Sequence, residues 1–293
     1  MRVFVTGATG LIGSAVVAEL LSNDHTVLGL ARSDASAQKL EAAGAQALRG
    51  GLADLDAIRA GAAQADGVIH LAFANDFSTP EALANAIAEE SAAITAMGEE
   101  LIGSDRPLVV CSGTPAVQGR LSTESDPLPS EGPVAGRGIT VTTTLELASR
   151  GVRTSAVRLP RTVHNNGTGG FAGLLTNIAR RSGVSGYAGD GTQRWPAVHA
   201  LDAASLFRLA LEQAPAGTSW HAVDDEGDQV RDIAAVIGRR LGVPVRSVPT
   251  ETYGPLGQIF AVDQPASSAH TREALGWEPR HPRLLEDLEK IEP

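Results

Sequence analysis

Residues 6–13 read Thr6-Gly7-Ala8-Thr9-Gly10-Leu11-Ile12-Gly13, and this stretch decides the fold. It follows an apolar run at 2–6 directly and opens a segment of helical periodicity at about 11–22. Small residues spaced Gly-x-x-Gly-x-x-Gly do three physical jobs. One permits a tight turn, one lets backbone approach a ligand, and one lets the helix pack on the sheet. The unbonded N–H groups of the helix start then present partial positive charge, which suits a pyrophosphate. Thr6, Gly7, Thr9, Gly10, Leu11, Ile12 and Gly13 therefore form a candidate cradle for a dinucleotide. The plainer alternative is a glycine-rich turn with no ligand. Its position, straight after a first strand and within a strand–helix series, argues against that.

Working outward, further apolar runs rich in Val, Ile and Leu lie at 26–31, 45–49, 67–72, 107–111 and 153–158. Between them, helical periodicity runs over about 34–43, 54–64, 80–103 and 138–150. This alternation implies right-handed βαβ units and a parallel sheet buried on both faces. The segment 139–144, Ile-Thr-Val-Thr-Thr-Thr, is built of poor helix formers. A helix is still placed there, because a crossover is needed and 145–150 is helical in pattern. Residues 113–138, rich in Gly, Pro and Ser, read as a long loop, and such loops are usually functional or mobile. Further helices are expected at about 170–182, 201–213, 229–241 and 283–289, and six prolines break the C-terminal stretch into short pieces. The fold class is α/β, a doubly wound parallel-sheet Rossmann domain with a smaller C-terminal α/β substrate domain. Residues 1–165 form the dinucleotide core, with 197–223 returning to it, and 166–196 with 224–293 form the substrate-binding region.

Composition excludes several classes. The 293 residues carry 24 basic and 34 acidic side chains, a net charge of −10. A nucleic-acid or anionic-membrane partner would want a basic face, so a small-molecule substrate is expected instead. Arginine supplies 22 of the basic residues, and Lys39 and Lys290 are the two lysines. The single Cys111 leaves no disulfide within the chain, and no His, Cys or Asp cluster has metal-ligand spacing. No apolar run approaches the roughly 18–20 residues of a membrane helix, and the start shows no signal-peptide pattern. The chain reads as soluble and cytoplasmic.

The end of the second strand selects the cofactor. NAD sites place an acidic residue there to bond the ribose 2′-hydroxyl. Here the chain reads Leu30-Ala31-Arg32-Ser33. Arg32 suits a 2′-phosphate, which its fork can grip while its plane stacks on adenine, and Ser33 can add a hydrogen bond. NADP is expected ahead of NAD. Asp34 stands one step away, and the bland reading leaves Arg32 a solvated loop charge.

These residues resemble the short-chain dehydrogenase/reductase superfamily, in its extended and atypical, epimerase/dehydratase-like branches. The likeness covers most of the chain. The glycine stretch matches the family motif. Val68-Ile69-His70-Leu71-Ala72 resembles the fourth-strand segment that passes the cofactor, and Leu108 to Gly119 the fifth strand with its catalytic Ser/Thr loop. Val157-Arg158-Leu159-Pro160 resembles the segment flanking the nicotinamide, and Arg194 to Asp202 an element that closes over substrate. The resemblance implies cofactor contacts at Leu52, Leu71, Ala72, Phe73, Ser112 and Leu159. It also implies a homodimer through the long crossover helices.

The family's Tyr-x-x-x-Lys pair is missing. Four residues beyond Tyr187 and Tyr253 stand Gly191 and Gly257. With Thr114 in the Ser/Thr position, the Tyr place falls at Arg137-Gly138-Ile139 and the Lys place near Val141. Gly51-Leu52 also stands where the family usually has Asp before the hydrophobic residue.

Carbonyl reduction needs a placed hydride donor and a proton or strong hydrogen bond for the developing alkoxide. Thr114 is the first candidate to hold that oxyanion, Arg137 could stabilise it by charge, and His164 could act as general acid. Each has a bland reading, as turn cap, solvated arginine and strand-end histidine respectively. Tyr187, Arg194 and Trp195 are candidate substrate contacts, or packing residues between lobes. His199 and Cys111 read as structural. Three functions follow: a reductase of a carbonyl, imine or activated alkene with a non-standard proton donor, a non-catalytic sensor of the cofactor, or a non-redox isomerase or cyclase on the same fold.

Overall fold

A computed structural model describes residues 1–74, 79–132 and 134–292, with Pro255 described by its backbone alone. The strands in chain order are β1 (Arg2–Thr6), β2 (Thr26–Ala31), β3 (Gln46–Arg49), β4 (Gly67–His70), β5 (Pro107–Gly113), β6 (Arg153–Leu159), β7 (Thr162–His164), β8 (Ser185–Ala188), β9 (Arg194–His199), β10 (Thr218–His221), β11 (Asp225–Gln229) and β12 (Val245–Val248). The main helices are α1 (Leu11–Ser22), α2 (Asp34–Ala42), α3 (Leu55–Ala63), α4 (Pro80–Leu101), α5 (Ala135–Glu146), α6 (Gly170–Ser182), α7 (Ala200–Gln213) and α8 (Val230–Leu241).

One seven-stranded sheet has the order β10-β6-β5-β4-β1-β2-β3. Every neighbouring pair in it is parallel. The order reverses between β1 and β4, and open α/β sheets bind ligands outside the carboxyl ends of their strands at such a switch point. Residue alternation along each strand feeds two separate cores. Val3, Val5, Ile69 and Val109 face one side with Val16, Leu20, Phe207 and Trp277. Phe4, Val68, Leu108 and Val110 face the other with Ile58, Ile94, Met97 and Val141.

The β-branched run does form a helix. Its threonine hydroxyls bond back one turn, Thr140 to the Gly136 carbonyl, Thr142 to Gly138 and Thr144 to Thr140. That satisfies the hydroxyls without leaving the helix. Burial of Val141 and Thr144 against the sheet supplies what propensity lacks. The helix starts at Ala135 and tightens into a 3-10 turn at Leu147–Arg150.

The long loop after β5 is tied down rather than free. Asp126 accepts from the Arg120 guanidinium and from the Thr123 amide. Arg158, buried on β6, donates to the backbone carbonyls of Glu124 and Asp126. The Glu124 carboxylate accepts from both the amide and the hydroxyl of Thr271.

After β6 the chain builds a second lobe. It holds a three-stranded sheet β11-β9-β7 and a two-stranded pair β12-β8. Its core contains Trp195, Ile233, Ile237, Phe260, Leu284 and Leu288. The chain then returns through α7, and β10 pairs with β6 at the edge of the main sheet. No helix among the described residues is long and apolar enough to cross a membrane.

Gly61 on α3 shows how closely this packing is set. A Cβ there would lie 2.5 Å from the ring of Phe4, which is fully buried. Replacing Gly61 by Ala is expected to lower stability by about 1–3 kcal/mol through overpacking, read by chemical denaturation. An unchanged midpoint would mean that the Phe4 ring can move aside.

Candidate active site

The glycine loop is built by backbone contact. Gly7 takes a positive φ of 67°, and a Cβ on it would lie 2.8 Å from the Ala72 amide nitrogen. The Thr6 hydroxyl oxygen straps the same segment, accepting from the amides of Leu71 (3.2 Å) and Ala72 (3.3 Å). It also bonds the buried His70 ring at Nδ1, 2.9 Å away. A Cβ on Gly13 would lie 2.0 Å from the Gly7 carbonyl oxygen, so α1 seats on the loop only with glycine there. The start of α1 has no side-chain cap, whereas Ser33, Asp54 and Thr79 cap the next three helices. Uncapped first-turn amides beside a glycine loop fit the pyrophosphate of a dinucleotide. Leu11 leaves its apolar side chain 39% exposed at the mouth of this cradle.

At the end of β2, Arg32 is exposed and has no acidic partner among the described residues. Its stem runs beside Gly51, where a Cβ would sit 3.7 Å away. Asp34 is turned to Arg49, at 3.0 Å, so it does not neutralise Arg32. Ser33 caps α2, accepting from the Ser36 amide, with the two hydroxyls 3.0 Å apart. Leu52 is buried nearby.

At the end of β5, the Ser112 hydroxyl has no hydrogen-bond partner among the described residues. The Thr114 amide donates to the Leu159 carbonyl at 2.9 Å, joining the β5 and β6 ends. The Gln264 side-chain amide donates to the Thr114 carbonyl and lies 3.3 Å from its hydroxyl oxygen.

The place expected for the family's Tyr holds an ion pair. Arg137, in the first turn of α5, donates through Nε and Nη2 to both oxygens of Glu90 on α4, each at 2.8 Å. Its guanidinium lies 4.2 Å from the centre of the Phe73 ring. Arg137 is thus committed to a buried carboxylate, which corrects its expected role as a free oxyanion stabiliser. Glu90 has its pKa raised by burial, against the Arg137 bonds that hold it down. Burial first and the Arg137 charge second push the His70 imidazole down to about 3. Burial pushes the Cys111 thiol up to about 12, so it is no ready nucleophile.

The structure also corrects the expected roles of His164 and Trp195. His164 is 1% exposed and bonds Asp287 through Nδ1 at 2.9 Å. Burial lowers its pKa, and sealed from the cleft it cannot serve as a general acid. Trp195 is fully buried in the second lobe, edge-on to Phe171 and Phe260, and is core rather than cleft wall. Arg194 is held by Asp263 through its amide and its guanidinium. Tyr187 is half-buried and packs on Gly191. His199 accepts from the Leu201 amide at the start of α7.

Sequence reading missed Glu90 and Gln264. Glu90 had a visible signal, since it falls on the buried stripe of α4 with Ala86, Ala93, Ile94 and Met97. Gln264 had none, because its contact spans 150 residues. No group of His, Cys, Asp and Glu among the described residues could hold a metal ion.

The model of the NAD dependent epimerase/dehydratase family matches residues 3–223. The chain belongs to this family. Two relatives match nearly end to end. An uncharacterized protein of Schizosaccharomyces pombe is 47% identical and one of Saccharomyces cerevisiae is 42% identical, each match covering 98% of both chains. Among solved structures, Pal from Bacillus thuringiensis superposes with a TM-score of 0.80 at 19% identity, covering 99% of this chain and 97% of that one. The UDP-glucose 4-epimerase of Thermotoga maritima gives 0.78 at 20%, covering 99% and 97%. The dTDP-glucose 4,6-dehydratase DesIV of Streptomyces venezuelae gives 0.79 at 18%, covering 99% and 95%. At these identities the structures show a shared fold. Membership of the epimerase/dehydratase family gives the broad function, an enzyme of the NAD(P)-dependent epimerase/dehydratase type.

Two predictions follow from the buried charges. Glu90→Ala leaves Arg137 half-buried without its carboxylate and is expected to cost about 3–5 kcal/mol; the double variant with Arg137→Met should recover much of that loss in a denaturation series. His70 stays neutral in the folded protein, while the unfolded chain takes up its proton near pH 6.5. Stability contributed by neutral His70 is therefore present above pH 6.5 and lost as pH falls toward 3, with a slope approaching about 1.4 kcal/mol per pH unit. Ring-nitrogen NMR shifts of His70 that titrate near 6.5 in the folded state would refute this.

Proposed function

We propose that this family member is an NADPH-dependent reductase of a small-molecule carbonyl, imine or activated alkene. The observation that carries the cofactor choice is Arg32. An exposed guanidinium with no acidic partner among the described residues stands at the end of β2, and the nearby carboxylate of Asp34 is occupied by Arg49. Gly51 leaves room along the arginine stem. Arg32 would grip the 2′-phosphate and stack on adenine, and Ser33 would add a hydroxyl. The loop from Thr6 to Gly13 would hold the pyrophosphate, with Leu52, Leu71, Ala72, Phe73, Ser112 and Leu159 along the remainder of the dinucleotide.

When bound, the cofactor supplies the hydride. The chain's own task is to orient the acceptor and to meet the negative charge that develops on it. Thr114 would do that. Its hydroxyl oxygen lies 3.3 Å from the Gln264 amide donor, so its own hydrogen is free to point at a developing oxyanion. Its amide is fixed on Leu159, which locks the turn at the end of β5. Arg137 and Glu90 contribute by position rather than proton transfer. They wall the cleft with a neutralised pair where the family keeps an acid. Imines and activated alkenes suit such a site, because they demand less of a proton donor than a ketone does. The same pair supports a second reading, a cofactor-sensing protein without chemistry.

NADPH and NADH titrations followed by dihydronicotinamide fluorescence test the cofactor choice. The parent should bind NADPH more tightly, and Arg32→Ala should weaken NADPH far more than NADH. Equal effects on both would refute the assignment. Single-turnover oxidation of bound NADPH by a panel of carbonyls, imines and enones tests the reaction. Thr114→Val should slow it about 10²-fold or more with NADPH affinity unchanged. No turnover with any class would move the protein to the sensing reading.

A further inference from the structure

Arg161 follows β6 after Pro160, at the carboxyl edge of the sheet, two residues beyond the Leu159 carbonyl that bonds Thr114. The large side chains around it come from the second lobe. Its guanidinium carbon lies 5.2 Å from the centre of the Phe171 ring and 5.9 Å from that of Trp195. It therefore sits where the chain passes from the main sheet into the second lobe.

Among the described residues this arginine has no acceptor. Its Nε is buried and bonds nothing among the described residues. Its terminal nitrogens make no ion pair among the described residues either. Several other inward-facing arginines have acceptors, although Arg158 Nε and Arg153 Nη1 are also buried without one among the described residues. Arg106 donates to three backbone carbonyls, Arg137 to Glu90, Arg158 to two carbonyls, and Arg208 to Glu19 and Glu212. Beside Arg161, the indole Nε1 of fully buried Trp195 also lacks an acceptor. A net charge of −10 makes the missing carboxylate the more telling. Burial alone pushes the Arg161 pKa down, to about 10, and no neighbouring acid raises it.

Two flanking aromatic rings hold a guanidinium in a fixed plane without neutralising it. A planar fork held that way matches a carboxylate or a phosphoryl oxygen pair. We propose that Arg161 anchors an anionic oxyacid group, carboxylate or phosphate, on the substrate, so that the reducible centre lies toward Thr114. This rests on the reading that the cleft takes a small-molecule substrate. It restricts that substrate to compounds bearing an acid group beside the carbonyl, imine or alkene.

The test needs neither turnover nor cofactor. Oxalate and phenyl phosphate are titrated into the full chain by calorimetry at constant ionic strength, with the parent, Arg161→Gln and Arg161→Met. Saturable 1:1 binding of at least one probe is expected, weakened roughly tenfold or more in both variants. The tighter probe tells carboxylate from phosphate. Melting temperatures separate binding from architecture. Removal of an unpaired half-buried cation should leave Arg161→Met at least as stable as the parent. NADPH affinity should stay unchanged in both variants, so a failure of the cofactor assignment would show separately. The proposal is overturned if neither probe binds at millimolar concentration. It is also overturned if binding survives both substitutions, as for phosphate lodged at the glycine loop, or if Arg161→Met melts several degrees lower with probe binding intact.

Discussion

The carbonyl oxygen of Gly7 occupies the space in which a side chain on residue 13 would have to stand. A Cβ there would come within 2.0 Å of it. That contact sets how closely α1 approaches β1, and the approach sets the direction of the uncapped amides at the helix start. Gly7 meets a second constraint from the other side, where its Cα lies against the backbone of Leu71 and Ala72. Thr6 then fixes this neighbour by accepting two of its amides. The first βα turn and the end of β4 are thus one backbone-to-backbone unit, and β5, paired to β4, inherits its position. The cleft is located by these contacts before any functional side chain is considered.

Much of this was legible in the sequence, because it depends on local pattern. The glycine spacing, the apolar runs and the helical segments of the first half appear within a few residues of where periodicity puts them. Even the run Ile139–Thr144 is helical, its hydroxyls satisfied within the helix itself. What pattern could not show is pairing across distance. Arg137 meets a carboxylate 47 residues away, and His164 one 123 residues away. Read alone, each was an ionisable residue near a strand or helix end, free to do chemistry. The fold supplies a partner to each and takes that freedom away. Trp195 fails for a related reason. Its neighbours Phe171 and Phe260 come from separate elements, and together they make it core.

The shortage of lysine has a structural counterpart. Inside an acidic chain, arginine can hold a carboxylate at two points while its flat face rests on an aromatic ring, as Arg137 does between Glu90 and Phe73. A lysine ammonium is a point charge and cannot hold both contacts in one plane. Here the Arg137 charge is taken up by the Glu90 carboxylate. It pushes His70 further toward neutrality.

A cleft arranged in this way can polarise but is poor at delivering protons. Its arginine cannot give one up, its buried histidines are held neutral, and its thiol is far from ionisation. What remains beside the junction of β5 and β6 are hydroxyls, Ser112 without a partner among the described residues and Thr114 steadied by Gln264. A hydroxyl at its ordinary acidity assists a reaction whose oxyanion or amide nitrogen develops late, or whose proton can come from water. It serves badly where full protonation of an alkoxide must keep pace with hydride transfer. Positioning must then carry more of the barrier, and positioning requires a fixed handle on the substrate. Under the proposal above that handle is Arg161, which has no acceptor among the described residues. The loss of the acid and the presence of an unneutralised arginine are therefore consistent parts of one design, in which orientation is favoured over proton supply.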